Sequence, residues 1–351
     1  MFLMLAGALA GLLLPDSFGA PTPLPPASAT TSVTPFVPVS NVDFSEIKAT
    51  HPWRIAFIPK FKFFGETGRL SSYWEPAWEG AQQAGRDFGV QVRLVTSGVR
   101  GGTDAEYVEP QIRLVADLIA RGQLDGLVIA PFDSDRLAPV VEKAVAAGIP
   151  TVALDTPINS DRVLTFVAFN NCAAGQLMGG WVVKQLNGRG KALILDGPQN
   201  EQNATDRRKG FLAGLKTGNI DILNTRSADW EIEPARQITA GWLAKYPDVN
   251  VILAANDNMA LGAARAAQAA QRPGLLITGF DATDAARAAI QTGAIAATVD
   301  QAPGEQARLA IQLLIRHLET GEKFPPIVYL PRIQLVTVDN VRTNSTSRGR
   351  P

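Results

Sequence analysis

Cysteine and histidine are almost absent from this chain of 351 residues, which has one cysteine, Cys172, and two histidines, His51 and His317. A lone cysteine excludes an internal disulfide framework and a thiolate metal cluster. A Ser-His-Asp triad or a multi-histidine metal site would have to use one of the two histidines, and neither sits in a fitting motif. Charge of one sign is lacking too: 33 basic and 33 acidic side chains give a formal net charge of zero. That balance argues against a nucleic-acid-binding surface, which shows as a basic face or tail. Phosphate cradles are also missing. There is no GxxxxGK[ST], and Gly98–Gly102 (GVRGG) lacks the GxGxxG spacing. Apolar residues do make up 46% of the chain, enough for packed cores, and the length suggests two domains.

One wholly apolar run opens the chain: Phe2–Leu14 contains only Phe, Leu, Met, Ala and Gly. It is shorter than the ~20 residues needed to cross a bilayer core. It fits the apolar region of a secretory signal, although the usual basic lead is missing. Small-x-small sites follow at Ser17-Phe18-Gly19 and Ala27-Ser28-Ala29, and either could be the cleavage site. Residues 1–29 are therefore expected to be a signal peptide that exports the chain. No cysteine follows the run, so a lipid anchor has no attachment residue. Residues 30–50 continue a stretch rich in Pro, Ser and Thr, expected to be a flexible spacer. The polar residues 342–351 are expected to be a flexible tail.

Between these ends, short β-branched runs alternate with alanine-rich stretches of helical period. Strands are expected at Arg54–Ile58, Val90–Val95, Gly126–Ala130, Thr151–Leu154 and Leu164–Ala168. Five more are expected at Ala192–Leu195, Asp221–Asn224, Val251–Ala254, Leu275–Gly279 and Ala296–Val299. The runs are continuously apolar, as in a parallel sheet covered on both faces. Gly89, Gly122, Gly148, Gly188, Gly218 and Gly293 stand where left-handed helix C-caps belong. The alternation means a doubly wound α/β fold, and some ten strands are too many for one compact sheet. Two parallel-sheet lobes are expected.

In such sheets ligands bind beyond the carboxyl ends of the strands. Those ends carry amides, carboxylates and aromatics. Asp155-Thr156 follows Leu154, SADWE surrounds Trp230, Asn256 follows Ala254, Asp281 follows Gly279, and Gln301 ends the run from Ala296. Asp and Asn can pair with neighbouring hydroxyls, and flat rings can pack on C–H faces. This is the chemistry of carbohydrate recognition.

The pieces AANDNMALGA (Ala254–Ala263), TGFDAT (Thr278–Thr283), ATVDQAP (Ala297–Pro303) and GIPTVALD (Gly148–Asp155) stand in an informative order, supported by SADW (Ser227–Trp230) and NNCAAG (Asn170–Gly175). With them the chain resembles periplasmic sugar-binding proteins of the ribose-binding type, the soluble receptors of ABC sugar importers, over about Arg54 to Val338. The resemblance implies a type I periplasmic binding fold in the periplasm, with lobes of residues 51–169 plus 302–328 and 170–301 plus 329–341. A hinge is implied near Asn170, Gln301 and Tyr329. No cofactor and no catalysis are implied; the partners are a small carbohydrate and a membrane permease. Tyr73 and Trp74 would stack on the sugar, Asp155 would accept its hydroxyls, and Trp230 would supply a ring from the other lobe. Asn256, Asp281 and Gln301 would add polar contacts. The ribose-type pattern has Arg after the strand-end Asp and again at the place of Thr205, where this chain has Thr156 and Thr205. Asn203 and Arg207 are the candidate substitutes, and the departures point away from ribose itself.

Structural readings stand beside these. Asp155 can be a turn residue and Trp230 a rim aromatic. Asp257 and Asn258 read as helix N-caps, and Trp78, Trp181 and Trp242 as core residues. Cys172 opens a helix, which can depress a thiol pKa, yet reads better as a small buried thiol. The same fold could instead present its ligand to a sensor kinase or chemoreceptor, for which the long segment Lys60–Ser72 leaves room. A lactose-repressor-type regulator would need a basic helix-turn-helix before the first strand, and the stretch there is apolar and then Pro-rich. A glycosidase using Asp155 and Asp281 is the remaining rival.

Overall fold

The computed structural model describes residues 45, 47–60, 73–99, 104–199, 201–330 and 333–342. The expected signal peptide, most of the spacer, the segment 61–72 and the tail from residue 343 lie outside the described residues.

Twelve strands and nine helices are found among these residues. The first half runs β1 (Arg54–Ile58), α1 (Trp74–Phe88), β2 (Gln91–Leu94), α2 (Asp104–Arg121), β3 (Gly126–Ile129), α3 (Ala138–Ala146), β4 (Thr151–Leu154) and β5 (Thr165–Ala168). Then come α4 (Asn171–Gln185), β6 (Arg189–Asp196), α5 (Gln202–Leu215), β7 (Asn219–Ser227), α6 (Ile232–Lys245), β8 (Val251–Ala254), α7 (Asp257–Ala269), β9 (Leu276–Thr278), α8 (Asp284–Gln291) and β10 (Ala297–Asp300). The chain ends with α9 (Pro303–Thr320), β11 (Ile327–Tyr329) and β12 (Gln334–Thr337).

The strands form two six-stranded sheets, ordered β2-β1-β3-β4-β5-β11 and β7-β6-β8-β9-β10-β12. Every pairing is parallel except β10 with β12. The central strands GLVI, TVAL and VILA are buried along their whole length, as their unbroken apolar runs require when helices cover both faces. Each sheet with its helices is one lobe, and the chain passes between lobes after β5, after β10 and after β11. Helix α9 returns to the first lobe and packs on α1 and on β3, β4 and β5. Strands β11 and β12 escape a reading of the sequence because they follow one another after α9 with no helix between them. Strand β12 is also antiparallel, outside the β-α rhythm.

Helical period in the sequence places the start of α2 near Glu109 and that of α5 near Thr205, and both helices begin earlier. Helix α2 begins at Asp104 with Pro110 inside it, so one helical bond is lost where a start near Glu109 is expected. Helix α5 begins at Gln202 rather than Thr205, which puts Asn203 in its first turn. Gly218 is a correction: it does not take the left-handed conformation adopted by Gly89, Gly122, Gly148, Gly188 and Gly293. Its constraint is space, because a Cβ there would lie 2.6 Å from Val183 Cγ1. In the second lobe α4 and α5 meet backbone to backbone, and a Cβ on Gly210 would fall 2.2 Å from Cys172 O.

Candidate functional site

Three of the strand-end residues have left-handed backbones: Asp155 (φ 63°), Trp230 (φ 66°) and Asp281 (φ 116°). Such conformations cost about 1–3 kcal/mol each for non-glycine residues and persist only where the surroundings hold them. They follow β4, β7 and β9, and two of them are carboxylates facing one another across the lobes.

From the first lobe, the Tyr73 hydroxyl donates to Asp155 Oδ1 at 2.9 Å, and Thr156 Oγ1 donates to Asp155 Oδ2 at 2.9 Å. Burial, then the carboxylates of Asp155 and of Asp281 from the other lobe, push the Tyr73 hydroxyl well above its usual range. Of the expected aromatic pair, Tyr73 sends its polar atom to the cleft. Trp74 meets it edge-on at 5.0 Å and is part of the first lobe's core.

From the second lobe, Gln301 Nε2 donates to Asp281 Oδ1 at 2.5 Å, and Arg207 Nη1 lies 3.6 Å from the same oxygen. Burial pushes the Asp281 carboxyl well above the carboxylate range. The Arg207 charge opposes this, while the charges of Asp257 and Asp155 add to it. Arg207 is 3% exposed, and its Nε and Nη1 are engaged. Its Nε donates to Asn171 Oδ1 at 2.8 Å and its Nη1 to Ala255 O at 2.7 Å. Its guanidinium carbon lies 4.0 Å from the Phe280 ring centroid and 5.4 Å from that of Trp230. A buried cation held over two rings gains cation–π attraction without losing its donors.

Trp230 lies over Gly197, where a Cβ would come within 2.3 Å of the indole, and its Nε1 donates to Glu201 Oε1 at 3.2 Å. Glu201 in turn receives Lys60 Nζ of the first lobe at 2.8 Å. Asn256 accepts from Met259 N at 2.9 Å and donates through Nδ2 to Trp230 O at 3.2 Å. Asn203 is 8% exposed, with Oδ1 accepting from Ala204 N at 2.9 Å.

Asn256 is thus the N-cap of α7, a correction to the expectation for Asp257 and Asn258. Asp257 is fully buried below it and accepts from Thr298 Oγ1 at 2.6 Å and Thr283 N at 2.7 Å. Burial pushes its carboxyl up to about 6. Cys172 also differs from its reading as a buried thiol: it is only partly covered, and burial with the Asp206 charge raises its pKa rather than lowering it. Trp242 is core, whereas Trp78 and Trp181 are partly buried against it or its counterpart.

Reading the sequence missed Asn171, Glu201, Lys60 and Phe280. Asn171 and Phe280 stand inside the quoted pieces NNCAAG and TGFDAT, so a signal for them existed. Lys60 and Glu201 are 141 residues apart and carry none. Together the two lobes bring carboxylates, amides, a guanidinium and rings near one another. This set donates and accepts hydrogen bonds and packs on flat apolar faces.

A family model for the periplasmic binding protein domain matches residues 67–323. The chain is 33% identical over 268 residues to the D-ribose/D-allose-binding protein of Pseudomonas aeruginosa, covering 74% of this chain and 83% of that protein. It is 32% identical to the D-apiose import binding protein of Paraburkholderia graminis, over 66% of this chain and 74% of that one. A solved ABC transporter periplasmic solute-binding protein from Actinobacillus succinogenes, with bound D-allose, superposes with a TM-score of 0.73 at 26% identity, covering 83% of this chain and 99% of that one. With two lobes of this topology, a matching family model and relatives aligned over most of their length, the chain belongs to the periplasmic binding protein family, whose members bind solutes rather than transform them.

Proposed function

We propose that this chain is an exported solute-binding protein that captures a small sugar or polyol between its lobes and delivers it to the permease of an ABC importer. One observation carries the reading: Tyr73 and Asp155 of one lobe come together with Asp281, Arg207 and Gln301 of the other, all of them largely buried. Asp155 and Asp281 are acceptors for ligand hydroxyls, and Arg207 and Gln301 are donors. Trp230 and Phe280 offer ring faces, and Asn256 holds Trp230 in place. Trp74 backs Tyr73 from the core, and Asn203 borders the ligand space from α5.

The magnitudes require such convergence. A neutral hydrogen bond contributes about 0.5–1.5 kcal/mol net, whereas micromolar affinity needs about −8 kcal/mol. A ligand touching both lobes stabilises the closed form by its differential affinity, and the closed shape is what the permease reads. The sugar-import relatives support both ligand class and partner. The apolar run Phe2–Leu14 supports cleavage of a signal peptide on export to the periplasm.

Isothermal titration calorimetry of the purified mature protein against pentoses, hexoses, deoxysugars and polyols tests the reading. At least one should bind with micromolar or tighter affinity. A folded protein that gives no heat with any of them overturns it.

A further inference from the structure

Near the hinge the lobes border a hollow of ≈ 110 Å³, lined by Asp155 and by the crossing residues Asn170 and Tyr329. Water occupies about 30 Å³ in the liquid, and a cavity of about 150 Å³ holds benzene. The hollow therefore has room for a substituent of a few heavy atoms and none for a second ring. One wall is apolar, made by Pro157, Phe166 and Phe169.

Its polar groups are specific. Asn203, nine-tenths buried, uses Oδ1 on the Ala204 N–H, while its Nδ2 has no hydrogen-bond partner among the described residues and borders the hollow. Asp206 Oδ1 accepts from Gln202 Nε2 at 2.7 Å and lies 3.8 Å from Lys209 Nζ. Each Asp155 oxygen accepts one hydroxyl. Both carboxylates keep acceptor capacity. Burial, then the charges of Asp206 and Cys172, raise the Tyr329 hydroxyl pKa.

A group seated there must accept from Asn203, donate to a carboxylate and present carbon to the phenylalanines. An ammonium would set donor against donor at Asn203 Nδ2, and an anion would face Asp155 and Asp206. A bare methyl would bury the amide N–H without a partner, which is unfavourable. A hydroxyl on a one-carbon stem meets every demand. We infer that the hollow is a subsite for the exocyclic hydroxymethyl group of a pyranose, so that the chain selects hexoses over pentoses. The inference rests on the sugar-binding reading above and sharpens it.

Matched pairs that differ only in that group test it by calorimetry: D-xylose with D-glucose, L-arabinose with D-galactose, D-lyxose with D-mannose, and D-ribose with D-allose. In the pairs that bind, the hexose should be tighter by about tenfold or more, and D-fucose should fall to the pentose level where D-galactose binds. Cys172→Leu extends a side chain into the hollow from the partly exposed start of α4 and should erase the hexose advantage. Asn203→Ala should weaken the hexose by about 3–10-fold. Pentoses binding as tightly as their hexoses, or a hexose advantage that survives in both variants, overturns the subsite and leaves sugar binding standing. No heat with any of these sugars overturns both.

Discussion

Lys60 of the first lobe and Glu201 of the second form an ion pair at 2.8 Å, with side chains 10% and 3% exposed. The pair exists only when the lobes meet, and its carboxylate also holds the Trp230 indole N–H. Breaking one partner of a buried pair removes a compensating charge, at a cost of up to about 3–5 kcal/mol in the closed form. In an open form both groups are hydrated. Lys60→Met should therefore weaken ligand affinity by about tenfold or more in calorimetry. The Lys60→Met, Glu201→Gln double variant should recover part of the loss, because the uncompensated part of the buried charge is gone. Unchanged affinity in Lys60→Met would remove the pair from the closing mechanism.

Two glycines on α4 have opposite environments. A Cβ on Gly175 would lie 2.5 Å from Arg207 O, whereas one on Gly180 would meet nothing within 4 Å. Gly175→Ala should displace the α5 turn that carries Arg207, destabilising by about 1–3 kcal/mol and weakening ligand binding. Gly180→Ala should stabilise by about 0.5–1 kcal/mol through helix propensity, with affinity intact. Thermal melts and titrations of the two variants decide it; equal behaviour would contradict the packing described.

Asp257 gives a pH signature. Its carboxyl is raised to about 6 by burial, against about 3.9 in an unfolded chain. The folded state keeps this proton to higher pH, so the contribution is full below about pH 4 and is lost as pH rises through about 6. In Asp257→Asn that loss cannot occur. The melting temperature of the variant relative to the parent should rise between pH 4 and 6 and level off above. A difference that is flat or falls across this window contradicts the assignment.

Asn256 does two jobs that a substitution can separate. Serine retains an N-cap acceptor for the Met259 N–H but cannot reach the Trp230 carbonyl as Nδ2 does. Asn256→Ser and Asn256→Ala should both lose about 3–10-fold in affinity as Trp230 loosens. Only the alanine variant should also lose about 1 kcal/mol of stability, read by chemical denaturation. Full affinity in both would show that Trp230 needs no such anchor.

The parallel lobes were legible because strands buried on both faces must be apolar throughout, and TVAL, GLVI and VILA are. Asp155, Asn256 and Asp281 were legible because a strand end beside a helix start is where such sheets present polar groups. The role of Asp257 was not, since nothing local distinguishes a cap from a carboxylate buried under Thr283 and Thr298. Nor was the division of Tyr73 from Trp74, neighbours in sequence whose rings part at a helix start, one toward Asp155 and one into the core.

Sequence alone determined the α/β class, the two-sheet count and the strand tips at which polar residues stand, because hydrophobic period and turn chemistry are local properties. Only the tertiary structure decided that Lys60 reaches Glu201, that Arg207 lies between Phe280 and Asp281, and that Asn203 borders a hollow shared by both lobes. These contacts depend on where three chain crossings place one lobe against the other, a long-range geometry to which no short stretch of residues is sensitive.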